Sequence, residues 1–326
     1  MHKFIQSVFL SFAFAASAFG QSLTINPSTR VDMGVWAQTK MLASKSVSWM
    51  QAEPTIPPLV APVYSERMKA AGIEFPLRTC LFFTYRGEVQ GTWGFFGRDA
   101  DEAWRNGCAK WLNDRDMNCI IFLTYCYDKD PKKGVSLFKN GYATEVDPGQ
   151  VAIMERWLKA GKNAGSFMIP CLFVDDDGTA DQPWDKHKRY FDLIIPFLSK
   201  YCAAICLAIE SNEKFGNAKT ETMVAYIKTL TTLPVGTHMA WDCKSPLPRG
   251  LDFLLFEHSW HPAQGDSKSV NQVVSEVVKA INASGLPVGP CEWNLNPAGS
   301  IIVEQAKGLK SRTPIVLNGG PIKFVR

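Results

Sequence analysis

"AAICLAIESNEKF", residues 203–215, changes character halfway along. Small and apolar residues run from Ala203 to Ile209; Glu210, Ser211, Asn212 and Glu213 then follow in succession. An apolar run of this length reads as a strand buried on both faces, as in a parallel sheet. Its abrupt polar end, placed at Glu210, reads as the point where the strand reaches the rim of that sheet.

Seven further runs of the same kind occur from residue 79 onward: "TCLFFTY" (79–85), "NCIIFLTY" (118–125), "SFMIPCLFV" (166–174), "PVGTHMAW" (234–241), "DFLLFEH" (252–258), "PVGPCEW" (287–293) and "PIVLN" (314–318). Between them lie amphipathic stretches of helical period. "DPGQVAIMERWLKAGKNAG" (147–165) carries Asp147 as N-cap, Pro148 at the first helical position and Gly165 at the stop. Residues 99–115, 183–202, 219–230, 269–285 and 300–309 complete the set.

Eight strands alternating with helices over residues 79–326 predict an α/β chain folded as a (β/α)8 TIM barrel rather than an open sheet. Two departures are expected. Only "DCKSPLPRGL" joins the fifth and sixth strands, so the fifth helix is shortened or missing. Only "GGPIKFVR" follows the eighth strand, too little for a closing C-terminal helix. Residues 21–78, with Pro54, Pro57, Pro58 and Pro62, are expected to pack on the barrel's bottom or flank.

At the N-terminus, Lys3 precedes "FIQSVFLSFAFAASAFG", which ends in small residues. This is the pattern of a secretory signal peptide, residues 1–20, cut after Ala18 or Gly20. It implies a secreted or periplasmic protein, and no later segment has the ~20 apolar residues of a membrane span. The nine cysteines do not read as a disulfide framework, because Cys80, Cys119, Cys126, Cys171, Cys206 and Cys291 fall in or beside the apolar runs. No CxxC spacing suggests zinc. A net charge of +4, without basic runs interleaved with aromatics, argues against a nucleic-acid partner.

In a barrel of this type the functional groups gather at the C-terminal ends of the strands. Those ends carry Tyr85, Asp175, Glu210, Asn212, Glu213, His238, Trp241, Asp242, Glu257, His258, Trp260, His261, Glu292, Trp293 and Asn294. Carboxylates among aromatic rings suit glycosidic bond cleavage. One carboxyl group must be protonated to assist the leaving oxygen, and the other ionised to attack or to activate water. Indole rings stack on the apolar faces of sugars, while amides and acids bind hydroxyls.

Three segments carry a resemblance. "ESNE" after the fourth strand resembles the Asn-Glu signature of the retaining clan A glycoside hydrolases, "CEWN" on the seventh resembles their nucleophile strand, and "LLFEHSWHP" on the sixth is similar to their H-x-Y-x-P-type stretch. The resemblance implies Glu213 as acid/base, Asn212 on the sugar's 2-hydroxyl, Glu292 as nucleophile and His258 facing the site. Trp260, Trp241, Trp293, Asp175 and Tyr85 are the expected substrate-binding residues. A poly- or oligosaccharide is the implied substrate, with no cofactor and no metal. Glu210 competes with Glu213: on a strand running through both, alternation would send the two acids to opposite faces. The rival readings are a metal-dependent hydrolase using His238, His258 and His261, and a barrel that binds carbohydrate without cleaving it.

Overall fold

A computed structural model describes residues 54–73, 78–82, 119–124, 137–173, 180–257, 268–290 and 315–316. Almost all of them belong to a single compact unit spanning Thr55–Ser259 and Ser269–Arg326.

All eight expected strands are present: β1 (Arg78–Phe82), β2 (Cys119–Leu123), β3 (Phe167–Phe173), β4 (Ile205–Ala208), β5 (Val235–Ala240), β6 (Leu254–Glu257), β7 (Val288–Pro290) and β8 (Ile315–Val316). Every pairing is parallel, and the strands follow one another in chain order from β1 to β7, with β8 paired to β1. β8 also lies against β7, so the sheet curls round on itself. The fold is the (β/α)8 barrel.

Helices are present in the expected stretches 147–165, 183–202, 219–230 and 269–285, while 99–115 and 300–309 lie outside the described residues. Helix α1 (Glu66–Ala70) precedes the barrel; α2 (Pro148–Asn163), α3 (Trp184–Leu198), α4 (Ser211–Lys214), α5 (Gly216–Leu230) and α6 (Val270–Ser284) punctuate it. Asp147 caps α2, accepting from Gly149 N at 2.8 Å, and Pro148 follows at the first helical position. Ser269 and Gln272 form a reciprocal capping box at the start of α6, and Gly285, at φ 67°, ends it in the left-handed conformation that glycine adopts freely. From Trp241 to Phe253 the chain forms no helix, which is the missing fifth helix expected from the short β5–β6 connection.

The barrel's interior is filled by Cys119, Ile121, Ile169, Cys171, Ala204, Cys206, Phe253 and Leu255, joined by Met68 and Ile73 from around α1. Cys119, Cys171 and Cys206 are buried thiols, as small hydrophobes in strands should be. Helix α1 plugs the N-terminal end of the barrel. Arg67 donates from its guanidinium to the carbonyls of Lys228, Thr231 and Leu233, satisfying the orphan acceptors where α5 ends and the chain turns into β5. The extended residues before α1 strap across the end of α6: Val60 N donates to Asn282 Oδ1 at 2.8 Å, Asn282 Nδ2 to the Pro58 carbonyl at 3.0 Å, and Val63 N to the Gly285 carbonyl at 2.9 Å. Near the same end, Asp252 is buried, paired with Lys228 at 2.8 Å and accepting from Val235 N at 2.9 Å.

Candidate active site

The site is built where β4 stops. The strand ends at Ala208, two residues before the Glu210 expected from the apolar run. Ile209 continues inward, its N–H donating to the Phe173 carbonyl at 3.0 Å and its side chain joining the barrel interior. Glu210 then adopts φ 48°, ψ 46°, the left-handed region, and the chain turns into α4. For a residue with a Cβ this conformation costs on the order of 1–2 kcal/mol and persists only where surrounding contacts impose it.

Two contacts impose it here. The Glu210 N–H donates to Nδ1 of His238 on β5 at 3.1 Å, and the Glu210 carbonyl accepts from Glu213 N at 3.0 Å. Asn212 fixes the other side of the turn. Its Nδ2 donates to the Ala240 carbonyl at 2.9 Å and its Oδ1 accepts from Ala240 N at 3.0 Å. The carboxamide thus pairs with β5 as a neighbouring strand would, and keeps one N–H and one lone pair for a ligand.

Short α4 is oriented by its buried residues. Ser211 is fully buried, and Phe215 packs on Phe173 at 5.4 Å and on His187 of α3 at 6.2 Å between ring centres. Glu213 and Lys214, on the other side of that turn, are exposed. The two acids of "ESNE" therefore do not sit on opposite faces of one strand. Glu210 is half-buried at the strand's end, and Glu213 stands in solvent on a helical turn.

His238 is a core residue. It is in register with Leu255 of β6, which faces the barrel interior, and neighbouring parallel strands present register partners to the same face. Burial pushes its imidazole down to about 3, so it is neutral at physiological pH. Because Nδ1 accepts, the proton resides on Nε2, which has no hydrogen-bond partner among the described residues. With the Nδ1 lone pair taken by the Glu210 N–H and Nε2 carrying the proton, neither nitrogen offers a lone pair to a metal.

Trp241 is a packing residue rather than a sugar platform. It is 4 % exposed, its ring lies edge-on to Phe256 at 5.6 Å, and its indole N–H donates to the Ser245 carbonyl at 3.1 Å. Nothing in the sequence distinguishes a buried indole from a stacking one; its place beside the helix-free connection decides it. Asp242 closes that connection's turn, accepting from the backbone N–H groups of Ser245 at 2.7 Å and Lys244 at 2.8 Å, which hold its carboxyl below the usual range. Tyr85, Asp175, His258, Trp260, His261, Glu292 and Trp293 lie outside the described residues. The His238–Glu210 contact is the feature of this turn that sequence reading missed. Its only signal was a histidine in the middle of the apolar run "VGTHMA".

Comparison with solved structures finds the same barrel in several carbohydrate-active enzymes. An endo-1,4-β-mannanase from Rhizomucor miehei matches with TM-score 0.53 and 10% identity, over 81% of this chain and 90% of its own. A glycoside hydrolase family 5 protein from Bacteroides vulgatus matches with TM-score 0.54 and 11% identity, over 77% and 60%. An exo-β-1,4-mannosidase from an Opitutaceae bacterium matches with TM-score 0.53 and 14% identity, over 82% and 56%. No family model and no curated protein matches the chain. At these identities the likeness is one of fold, and the fold is the one that the "ESNE" and "CEWN" resemblance implied.

Proposed function

We propose that the protein is an exported retaining glycoside hydrolase acting on a poly- or oligosaccharide. The observation that carries the reading is the "ESNE" turn at the C-terminal end of the fourth of eight parallel strands, with "CEWN" beginning directly after the seventh. Catalytic groups of such barrels are drawn from those positions, and a carboxyl pair about 5–5.5 Å apart performs retaining hydrolysis. The resemblance names Glu292 as nucleophile and Glu213, or its neighbour Glu210, as acid/base.

In the first step Glu292 forms a bond to the anomeric carbon while the acid/base gives its proton to the departing glycosidic oxygen. In the second, the same residue, now a carboxylate, takes a proton from water as that water attacks the anomeric carbon and releases Glu292. Asn212 and His258 are the proposed contacts to substrate hydroxyls, with Trp260, Trp293, Tyr85 and Asp175 as further binding residues. Two of the three named structural neighbours are by name an endo-1,4-β-mannanase and an exo-β-1,4-mannosidase, which makes β-1,4-mannan the first substrate to try.

The test is incubation with β-1,4-mannan and a panel of β-glucans and xylans, following new reducing ends and, by proton NMR, the first-formed anomer. Cleavage with retention, lost in Glu292→Gln, is the expected result. Inversion would reject the double-displacement mechanism. Binding of a glycan without cleavage would make the protein a lectin-like barrel, and neither binding nor cleavage would reject the carbohydrate reading.

A further inference from the structure

The backbone ladder between β4 and β5 joins Ile205 to Val235 and Cys206 to Gly236. Above Cys206, side chains take over from it. Thr237 Oγ1 donates to the Ala208 carbonyl at 3.4 Å, and His238 Nδ1 accepts from Glu210 N at 3.1 Å. Asn212 exchanges two hydrogen bonds with the backbone of Ala240, at 2.9 and 3.0 Å. We propose that this side-chain splice onto β5 fixes the turn that carries the acid/base Glu213, and that His238 is a positioning residue acting through the Glu210 peptide. The inference rests on the glycosidase reading, with Glu213 in the role that the Asn-Glu resemblance implies.

The link from ring to acid runs through one residue. The Glu210 N–H donates to His238, and the Glu210 carbonyl accepts from Glu213 N at 3.0 Å. With φ at 48° and both backbone polar groups engaged, Glu210 cannot rotate without breaking one of the two bonds. Its left-handed conformation is unfavourable for a residue with a Cβ, so the turn holds its shape only while its partners hold it. The imidazole thereby sets the place of the backbone from which the Glu213 side chain springs.

The support under that link is itself fixed. β5 pairs with β6 in unbroken register from Thr237 with Leu254 to Ala240 with Glu257, and Trp241 N donates to the Glu257 carbonyl at 3.0 Å. The two bonds onto β5 bracket the acid's turn, one at Glu210 and one at Asn212.

Packing alone does not call for a histidine at position 238. The ring is fully buried, and its Nε2 has no hydrogen-bond partner among the described residues. A buried polar atom without a partner is unfavourable, and a leucine or methionine would fill the space without it. What the imidazole offers and a hydrophobe does not is the acceptor at Nδ1. Burial keeps the ring neutral, so that acceptor persists through the physiological range. Being fully buried, His238 is also out of a substrate's reach, so its replacement separates aiming from binding; Asn212, a proposed sugar contact, cannot separate them.

Misplaced proton donation has a kinetic signature that a general loss of structure lacks. Phenolate needs a proton to depart, whereas 2,4-dinitrophenolate leaves without one. In the second step, an enzyme with a defective acid/base activates water slowly and can be captured by azide. Azide attacks the anomeric carbon, the bond to Glu292 breaks, and a glycosyl azide of retained configuration is released without proton transfer.

The experiment measures kcat/KM for wild type, Glu213→Ala, His238→Leu, His238→Asn and His238→Gln. The substrates are phenyl and 2,4-dinitrophenyl β-mannobiosides, cellobiosides and xylobiosides, with and without azide. Glu213→Ala is the reference and should lose about 10²–10⁴-fold on the phenyl glycoside, far less on the dinitrophenyl glycoside, and form the glycosyl azide. His238→Leu should show the same selective loss at ~10–10²-fold. His238→Asn, whose oxygen takes the place of Nδ1, should restore most of the phenyl rate. His238→Gln, whose amide extends toward the Nε2 position, should not, and it carries the comparison where the leucine variant does not fold. Hydrogen exchange at Glu210 N should quicken in the leucine and glutamine variants and stay near wild type in the asparagine variant, reading the contact without turnover. Equal losses on both leaving groups in His238→Leu, or asparagine and glutamine variants that behave alike, overturn the positioning role and leave the glycosidase reading intact. Glu213→Ala without leaving-group dependence overturns the acid assignment beneath it. Wild type that cleaves no glycoside in the panel overturns both readings.

Discussion

Acidification should unfold this barrel in a window set by two buried imidazoles. His187 and His238 are both fully buried, and burial pushes their pKa values from 6.5 to about 4 and about 3, with the Lys219 charge adding to the shift at His187. Their folded values are depressed, so the unfolded chain takes up protons first. Their contribution is therefore complete above pH 6.5 and is lost as pH falls toward 4 and 3. Between pH 7 and pH 5 each imidazole should remove about 2 kcal/mol of stability. Carboxylates of ordinary pKa stay mostly ionised at pH 5, so this window belongs largely to histidine. The assay is urea unfolding at pH 7, 6 and 5 of wild type, His187→Asn and His238→Asn. Both substitutions keep an acceptor near the Nδ1 position, which serves Tyr142 at 2.8 Å in one case and Glu210 at 3.1 Å in the other. Each variant should be less stable than wild type at pH 7, yet lose about 2 kcal/mol less on going to pH 5. Equal losses in all three proteins would show that these rings do not stay neutral in the folded barrel.

Asp252→Ala should cost about 3–5 kcal/mol in chemical denaturation, because it leaves the Lys228 ammonium without its buried partner and Val235 N without an acceptor. Gly236→Ala should destabilise by roughly 1–3 kcal/mol, since a Cβ there would stand 2.4 Å from the Phe253 carbonyl oxygen and 2.6 Å from its ring; a thermal melt equal to wild type would refute the packing. Asn212→Ala should cost about 1–3 kcal/mol by leaving both polar groups of Ala240 unpaired, and should raise hydrogen exchange at Ala240 N in particular.

The barrel was legible because its strands are buried on both faces. "CIIFL" and "FMIPCLF" contain no polar residue to interrupt the run, and such runs stand out against their amphipathic neighbours. Helix starts were equally readable where a side chain makes the cap, as at Asp147. The missing fifth helix followed from chain length alone. The end of β4 was not legible, because the left-handed turn at Glu210 depends on a histidine of the next strand, and no local propensity announces it. Trp241 was misjudged for a related reason: an indole serves core and sugar equally well, and only its neighbours Phe256 and Ser245 decide which. Helix α1 carries only Met68 and the following Ile73 as apolar anchors within a proline-rich segment, too little pattern to reveal a plug.

That plug has a consequence in time. Arg67 is bonded to a carbonyl 164 residues later in the chain, and Val60 to a side chain 222 residues later. At ~5–20 residues per second, the partners of this first-made segment leave the ribosome roughly 10–45 s after it does. Through that interval Met68 and Ile73 have no interior to enter, and the strands that emerge next curl round a base still open. The barrel's floor, first to be translated, is among the last parts to be set, which makes these residues the natural hold for a chaperone during synthesis.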